Sequence, residues 1–412
     1  MGRIVVSLLL LLVVLAPHAE EITLTNWNLL NYPGSTGLAR APYMRTVLAS
    51  IRTDLLVVQE IDTQSGVTHF MTNVLEVMEP GVWSAAQFHD GYDSDRALFY
   101  RTGSVEVLAY GWLETDLRTI DWWQLRLPGT GNEFRLYTLH LKASQGSSEE
   151  LQRLAECQVL RTALDALDPQ LPFVVTGDHN LYTAAEPAYQ WLTAPGPGEL
   201  FDPIEQEGDW HDNPAYAGIH TQSTRTVAFG GGATGGLDDR FDLMLVSEEL
   251  LDQSALEIRP ETYTAYGNDG AHFNQSIINN GNSAVPADVA EALYQSSDHL
   301  PVFAVLRGEA SAPSSLAGDP AAPLRLCSGP NPSLTPARLR FTLANETLID
   351  LTLLDASGRA VATLARGPQH PGIFEYAWDG RDAAGRPVAA GVYYARLVAG
   401  AQTSVTRIVR IR

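Results

Sequence analysis

The chain has 412 residues, 45% of them hydrophobic, with 27 basic against 48 acidic side chains. That length exceeds what one ordinary core serves and implies two or three domains, while the acidity excludes a protein that grips nucleic acid through a broad basic face. The charge is also uneven: from residue 324 onward there are 11 basic and 6 acidic residues, leaving 16 against 42 before it, so a phosphate ester bound by the larger part needs local positive charge from metal ions.

Residues 1–19 begin with Arg3, run through an apolar stretch from Val5 to Leu15 broken only by Ser7, and end in Ala16-Pro17-His18-Ala19. This is the layout of a secretory signal peptide, with cleavage expected after Ala19. The apolar core is shorter than the roughly 20 residues that span a bilayer, and no later segment approaches that length. A secreted, extracellular protein without an integral membrane segment is therefore expected. No Cys lies near the cut, so a lipoprotein anchor is not expected. Cys157 and Cys327 fall in separate expected domains and argue against a disulfide framework.

From residue 20 to 308, short β-rich apolar runs alternate with helical ones, the pattern of a layered α/β domain. Strands are expected at 22–27, 54–59, 96–100, 134–141, 172–176, 240–246 and 302–306. Helices are expected at 43–51 and 147–167, the second opened by a capping box of Ser147 and Glu150. Residues 193–236 and 263–284, rich in Gly, Pro, Asn and Asp, read as long functional loops; Trp210, His211 and Gln222 lie in the first. The run Gly230–Gly236 lacks the Lys-Ser/Thr of a phosphate-binding P-loop and reads as flexible punctuation. Residues 309–323 read as a small-residue, Pro-containing linker, and 324–412 as a β-sandwich of short strands at 338–343, 348–354, 361–364, 374–378, 392–397 and 404–411.

Polar residues recur where the apolar strands end: Asn28, Glu60, His140, Lys142, Asp178, Asn180, Asp242, Asp298 and His299. Singly, each has an ordinary role as turn former, solvated acid or structural hydrogen-bonder, and Asp242 could pair with Arg240. Six independent strand ends in one domain argue instead for a shared surface. Lys142 is the only Lys in the chain. It is two residues beyond His140, hence on the same face of an extended strand, and is either a snorkelling surface residue or a cation for an anionic substrate.

The motifs Trp27-Asn28-Leu29-Leu30-Asn31, Val58-Gln59-Glu60, His140-Leu141-Lys142-Ala143, Thr176-Gly177-Asp178-His179-Asn180, Asp239-Arg240-Phe241-Asp242 and Ser297-Asp298-His299, in this order over residues 22–307, resemble the endonuclease/exonuclease/phosphatase superfamily. That superfamily includes pancreatic-type deoxyribonucleases, apurinic-site nucleases, sphingomyelinases and inositol polyphosphate phosphatases. His179 departs from the family, which usually has Phe there. The resemblance implies a four-layer α/β/β/α sandwich of two packed mixed sheets that hydrolyses phosphodiesters, with nucleic acid as the leading substrate, by in-line attack of activated water. Glu60 and Asp298 are then metal ligands, with Asn28 a ligand or an orienting partner, for Mg²⁺ or else Mn²⁺ or Ca²⁺. His299 oriented by Asp242 activates water, with Asp178 as the alternative base, and Asn180 and His140 donate to the phosphorane oxygens. Lys142, Arg96 and Arg225 are candidate substrate cations.

In the tail, Asp355-Ala356-Ser357-Gly358-Arg359, Trp378-Asp379-Gly380-Arg381-Asp382-Ala383-Ala384-Gly385 and Gly391-Val392-Tyr393-Tyr394 resemble immunoglobulin-like modules of the flagellar-hook-capping type and related sorting domains. That resemblance implies contact with secretion machinery or a cell surface. Fold kinship does not fix the substrate. A sphingomyelinase-like lipid phosphodiesterase would expose an apolar or aromatic loop near the site, for which Trp122-Trp123 is the best candidate although paired Trp in a strand is more often core, and a noncatalytic adhesion protein would lack one of the site residues.

Overall fold

The computed structural model describes residues 19–91, 93–251, 255–309, 324, 326–329, 337–343, 345–370 and 372–410. The expected signal peptide, apart from Ala19, and the expected linker beyond Glu309 lie outside the described residues.

Two mixed sheets face each other. The first has six strands in the order β10-β11-β1-β2-β4-β3: β1 (Ala19–Tyr32), β2 (Leu55–Ile61), β3 (Trp83–Ala85), β4 (Asp95–Arg101), β10 (Leu256–Ala265) and β11 (Val302–Glu309). Only β1 and β2 run parallel. The second has the order β5-β6-β7-β8-β9: β5 (Glu106–Leu113), β6 (Ile120–Arg126), β7 (Glu133–His140), β8 (Phe173–Asp178) and β9 (Asp242–Val246), with β7 and β8 parallel.

The alternation of side chains along each strand explains the layers. Ile22, Leu24, Leu55, Val57, Leu136, Val174 and Met244 point between the sheets into one core. Their neighbours in sequence point outward. On the first sheet, Trp27, Leu29, Leu56 and Val58 meet α1 (Gly37–Ile51), α2 (Thr63–Phe70) and α6 (Ala287–Ser296). A wide turn at Met71–Leu75 carries α2 into α3 (Glu76–Met78). On the second sheet, Tyr137, Leu139, Val175 and Leu243 meet α4 (Ser147–Asp165) and α5 (Pro187–Leu192). The result is the α/β/β/α sandwich expected from the resemblance.

Several local expectations are corrected. α1 begins six residues before the expected start and contains Pro42 at its sixth position, where the ring removes a helical N–H and reads in sequence as a boundary. The capping box does not form: Gly146 is the N-cap of α4, without a side-chain cap bond. Strands β3, β5, β6 and β10 were not expected. Trp122 and Trp123 belong to β6, where Trp123 is fully buried between the sheets and Trp122 stacks under the Arg135 guanidinium, so they form no exposed aromatic loop.

The tail forms two antiparallel sheets. One has β12 (Leu326–Gly329), β13 (Ala337–Leu343) and β16 (Gly372–Trp378). The other has β14 (Thr347–Asp355), β15 (Ala360–Gln369), β17 (Gly391–Ala399) and β18 (Gln402–Arg410) in the order β15-β14-β17-β18. They enclose their own core, centred on Leu339, Leu351, Leu353, Ala395 and Leu397, the small all-β immunoglobulin-like sandwich expected.

Candidate active site

The site is the polar continuation of the inter-sheet core. Asn26 and Asn28 follow Ile22 and Leu24 on the inward face of β1, Gln59 follows Val57 on β2, and Thr138 and His140 follow Leu136 on β7. Strand register then sets three of them abreast: His140 pairs with Asp178, and Asp178 with Asp242. Gly177 makes this approach possible. Its φ is +146°, and a Cβ there would lie 2.1 Å from the Leu139 carbonyl oxygen.

Glu60 is brought in by a break in the pattern. Strict alternation would send it outward with Leu56 and Val58, but its backbone is left-handed, with φ +55°, and the register shifts at this point against both neighbouring strands. A left-handed non-glycine residue costs roughly 1–3 kcal/mol and persists where its surroundings fix it. Here Asn31 N–H donates to Glu60 Oε2 at 2.9 Å and Asn28 Nδ2 to Oε1 at 2.9 Å.

Glu60, His140 and Asp178 offer ligand atoms within 4.8 Å of one another. His140 Nε2 is 3.6 Å from Asp178 Oδ2 and 3.9 Å from Glu60 Oε1. Asn28 Nδ2 also donates to Asp178 Oδ2 at 3.1 Å, while its Oδ1 accepts from Leu30 N. Its amide oxygen is therefore engaged away from the cluster, and of the two roles open for Asn28 the geometry supports the orienting one. Burial raises Glu60 above the usual carboxylate range and raises Asp178 to about 7, with Asp242 and Glu60 adding to the latter. Burial, with Arg118 and Arg96, holds His140 well below the ordinary imidazole range. A buried acid and a half-buried one, both raised by desolvation, beside a neutral imidazole form a donor set that fits a divalent cation.

His299 stands on the other side of Asp178. Its Nδ1 is 2.7 Å from Asp242 Oδ2, its Nε2 is 3.7 Å from Asp178 Oδ2, and its carbonyl accepts from Trp27 Nε1. Burial opposes a charge on the ring, yet Asp242, Asp298 and Asp178 together hold it well above the ordinary imidazole range. Asp242 does not pair with Arg240, which forms a buried two-pronged bridge to Asp202.

The remaining expected residues are placed differently. Asp298 is buried beside the cluster, but its Oδ2 accepts from Ala233 N at 2.7 Å and it is not among the three grouped donors. The glycine-rich run is thus packed against Asp298, with Gly232 so close that a Cβ would lie 2.6 Å from its oxygen. Asn180 turns its amide to the Leu141 carbonyl. β7 ends at His140, so Lys142 is no longer on its face; Lys142 Nζ donates to Ala143 O. Arg96 is 1% exposed, paired with Asp121 and bonded to Ser94 O, and Arg225 is buried between Phe229 and Tyr294 with a bond to Ser297 O. Arg96 and Arg225 are thus buried and committed to these partners, while the half-buried Lys142 ammonium meets a backbone carbonyl. Arg96 acts instead behind the site, since the Ser94 hydroxyl meets His140 Nδ1 at 3.2 Å.

Sequence reasoning missed Asn26, Gln59, Ser94 and Arg40. Gln59 Nε2 bridges Asn26 Oδ1 and Thr138 Oγ1, and Arg40, buried behind the cluster, is brought down to about 10 by burial and bonds Leu29 O and Ser296 O. A polar residue inside an otherwise apolar strand was the available signal for Asn26 and Gln59. Trp210 is core, and His211 bonds Asp239. Gln222 meets His299 directly, its Nε2 2.6 Å from the ring Nε2.

Residues 335–403 match the family model of the FlgD Ig-like domain. No curated protein matches the sequence. The chain is similar in structure to an endonuclease/exonuclease/phosphatase family protein from Bacteroides thetaiotaomicron, at 17% identity over 71% of this chain and 97% of that one with a TM-score of 0.46. It is similar to another from Bacteroides vulgatus, at 16% identity over 69% and 98% with a TM-score of 0.47. A third is D. rerio TDP2 complexed with single strand DNA product, at 14% identity over 69% and 98% with a TM-score of 0.49. The solved structures this chain is similar to thus include endonuclease/exonuclease/phosphatase family proteins, and its C-terminal part matches the FlgD Ig-like domain.

Proposed function

We propose that residues 20–308 form a metal-dependent phosphoesterase that hydrolyses phosphodiesters, with nucleic acid as the leading substrate, and that residues 1–19 direct its export. The observation that carries this reading is the lateral register of His140, Asp178 and Asp242, with Glu60 on one flank and His299 on the other. That register supports reading Glu60, His140 and Asp178 as a cation-binding donor set and His299, paired with Asp242, as an oriented imidazole on the far side of Asp178.

Glu60, His140 and Asp178 would hold the cation. The two carboxylates suit Mg²⁺, and the imidazole favours Mn²⁺ over it. When bound, the cation neutralises phosphate charge and stabilises the leaving oxygen. Asn28 holds both carboxylates in place through one amide nitrogen. Asp242 accepts from His299 Nδ1–H and so turns Nε2 to the site; with a cation on Asp178 offsetting one of the carboxylates that favour the charged ring, the neutral imidazole would take the proton of the attacking water there. Ser94 fixes His140 from behind. The C-terminal module, with its own core, serves attachment or sorting.

The test is hydrolysis by the purified full chain of DNA, RNA, sphingomyelin and bis(p-nitrophenyl) phosphate, with Mg²⁺, Mn²⁺ or Ca²⁺ and with chelator. The expected result is cleavage of at least one diester, abolished by EDTA and restored by Mn²⁺ or Mg²⁺. Absence of metal-dependent cleavage of all four sinks the proposal and leaves the adhesive reading.

A further inference from the structure

One group at the site has no part in the scheme above. Gln222 lies in the long segment between β8 and β9, yet its carboxamide is within hydrogen-bond distance of His299 Nε2, at 2.6 Å. That nitrogen is the ring's open position, because Nδ1 is committed to Asp242 at 2.7 Å. On its other side, Asp178 Oδ2 stands 3.7 Å away. Nε2 is therefore flanked by Asp178 and Gln222.

The backbone around Gln222 is pinned from several directions. Gln222 N donates to Asp239 O at 3.1 Å, and Asp238 N and Asp239 N both donate to Gln222 O, at 2.9 and 3.0 Å. Its neighbours are tied to the same site: Asp242 N donates to the Thr221 hydroxyl, Leu300 N to Thr221 O, and Thr224 N to Asp298 O. A side chain on so fixed a base is not a solvated loop residue that strays to the histidine.

We propose that Gln222 is a catalytic residue that holds the attacking water against His299, an inference that rests on the phosphoesterase reading of the site. A carboxamide carries an acceptor oxygen and a donor NH₂ on one planar group. In the resting protein its NH₂ group donates to Nε2. With substrate bound, a water enters between them and the carboxamide turns over, so that one water hydrogen lies on the neutral Nε2 and the other on the Gln222 carboxamide oxygen. The water's lone pair is then the part left free to aim at phosphorus. In the step itself the water O–H bond to the His299 side breaks and its proton goes to Nε2. The water oxygen bonds to phosphorus, and the bond from phosphorus to the leaving oxygen breaks. The leaving oxygen keeps that electron pair and collects a proton from solvent. Orienting the nucleophile in this way acts on kcat more than on ground-state binding.

The experiment compares the full-length wild-type chain with Gln222→Ala and with Gln222→Met, which keeps the volume without the amide, using bis(p-nitrophenyl) phosphate and the divalent ion that supports activity. Thermal unfolding of each variant checks the fold, and Gln222→Met provides the comparison if Gln222→Ala fails to fold. The expected result is a kcat lower by roughly ten- to a hundredfold in both variants, with KM within about twofold. Gln222→Glu, which keeps the acceptor oxygens, is expected to recover part of the loss. An unchanged or raised kcat overturns the proposal and shows a side chain that merely covers Nε2. A raised KM at constant kcat also overturns it and makes Gln222 a substrate contact. An inactive wild type instead removes the phosphoesterase reading itself.

Discussion

The two regions of the chain put their polar residues to opposite uses. In the layered region they are buried and joined over long sequence distances: Asn26 meets Asp242 across 216 residues, and Trp27 meets His299 across 272. In the C-terminal sandwich many of the polar contacts close local turns. Asp355 accepts from Ser357 N, Arg359 N and Arg359 Nε, and Asp382 repeats this with Ala384 N, Arg386 N and Arg386 Nε. Thr352 is the one buried polar side chain of the described sandwich residues. Burying a polar group costs free energy unless it is fully bonded, so the layered region carries a cost that stability alone does not explain, while the sandwich largely avoids that cost.

The sharpest way to break that contrast is to remove the residue on which the buried network turns. His299→Ala is expected to lower kcat on a diester substrate by about 10²–10⁴-fold, measured at saturating metal. A wild-type rate in that variant together with a collapse in Asp178→Asn would move the base to Asp178, the alternative left open by the sequence.

A pair of glycine substitutions tests the same contrast in stability. Gly177 and Gly358 both have positive φ, at +146° and +81°, but a Cβ at Gly177 would strike the Leu139 backbone while one at Gly358 meets nothing within 4 Å. Gly177→Ala is expected to cost several kcal/mol, on the order of the large core effects, and to lose the site with the register of β7 and β8. Gly358→Ala is expected to cost about 1 kcal/mol, the backbone penalty alone. Equal losses in denaturant titrations would show that close approach of the strands is not what Gly177 provides.

These contrasts also mark what the sequence could reveal. The strand-end residues Asn28, Glu60, His140, Asp178, Asp242 and His299 were legible because apolar runs stop at them, and the sandwich strands because turn clusters separate them. Arg96, Arg225 and Lys142 were read as cations facing a substrate because charge in a sequence carries no record of what engages it: a carboxylate, two aromatic rings and a backbone carbonyl do so here. Glu60 was found by motif although its geometry was hidden, since nothing in Val-Val-Gln-Glu announces a left-handed residue. Gln222 read as loop because its fixing bonds are almost all backbone, and side-chain pattern does not report those.

Glu156 sharpens the comparison by the smallest effect. It is buried on α4 beneath the turn after β7, where its Oε2 accepts from Lys142 N at 3.0 Å, and burial raises it from 4.5 to about 7 against the pull of that bond and of Arg118 and Arg153. Its folded-state value lies above the unfolded one, so the protonated form is the one that the fold prefers. Stability from this group is complete below 4.5 and is lost as pH rises through about 7. Glu156→Gln keeps the acceptor oxygen and removes the charge. It is therefore expected to leave stability unchanged at pH 4 and to raise it by on the order of 1–3 kcal/mol at pH 8, as measured by urea titration at the two pH values. A stabilisation equal at both would mean that the carboxylate costs nothing where it sits, and that the polar residues behind β7 are as indifferent to charge as those of the sandwich turns.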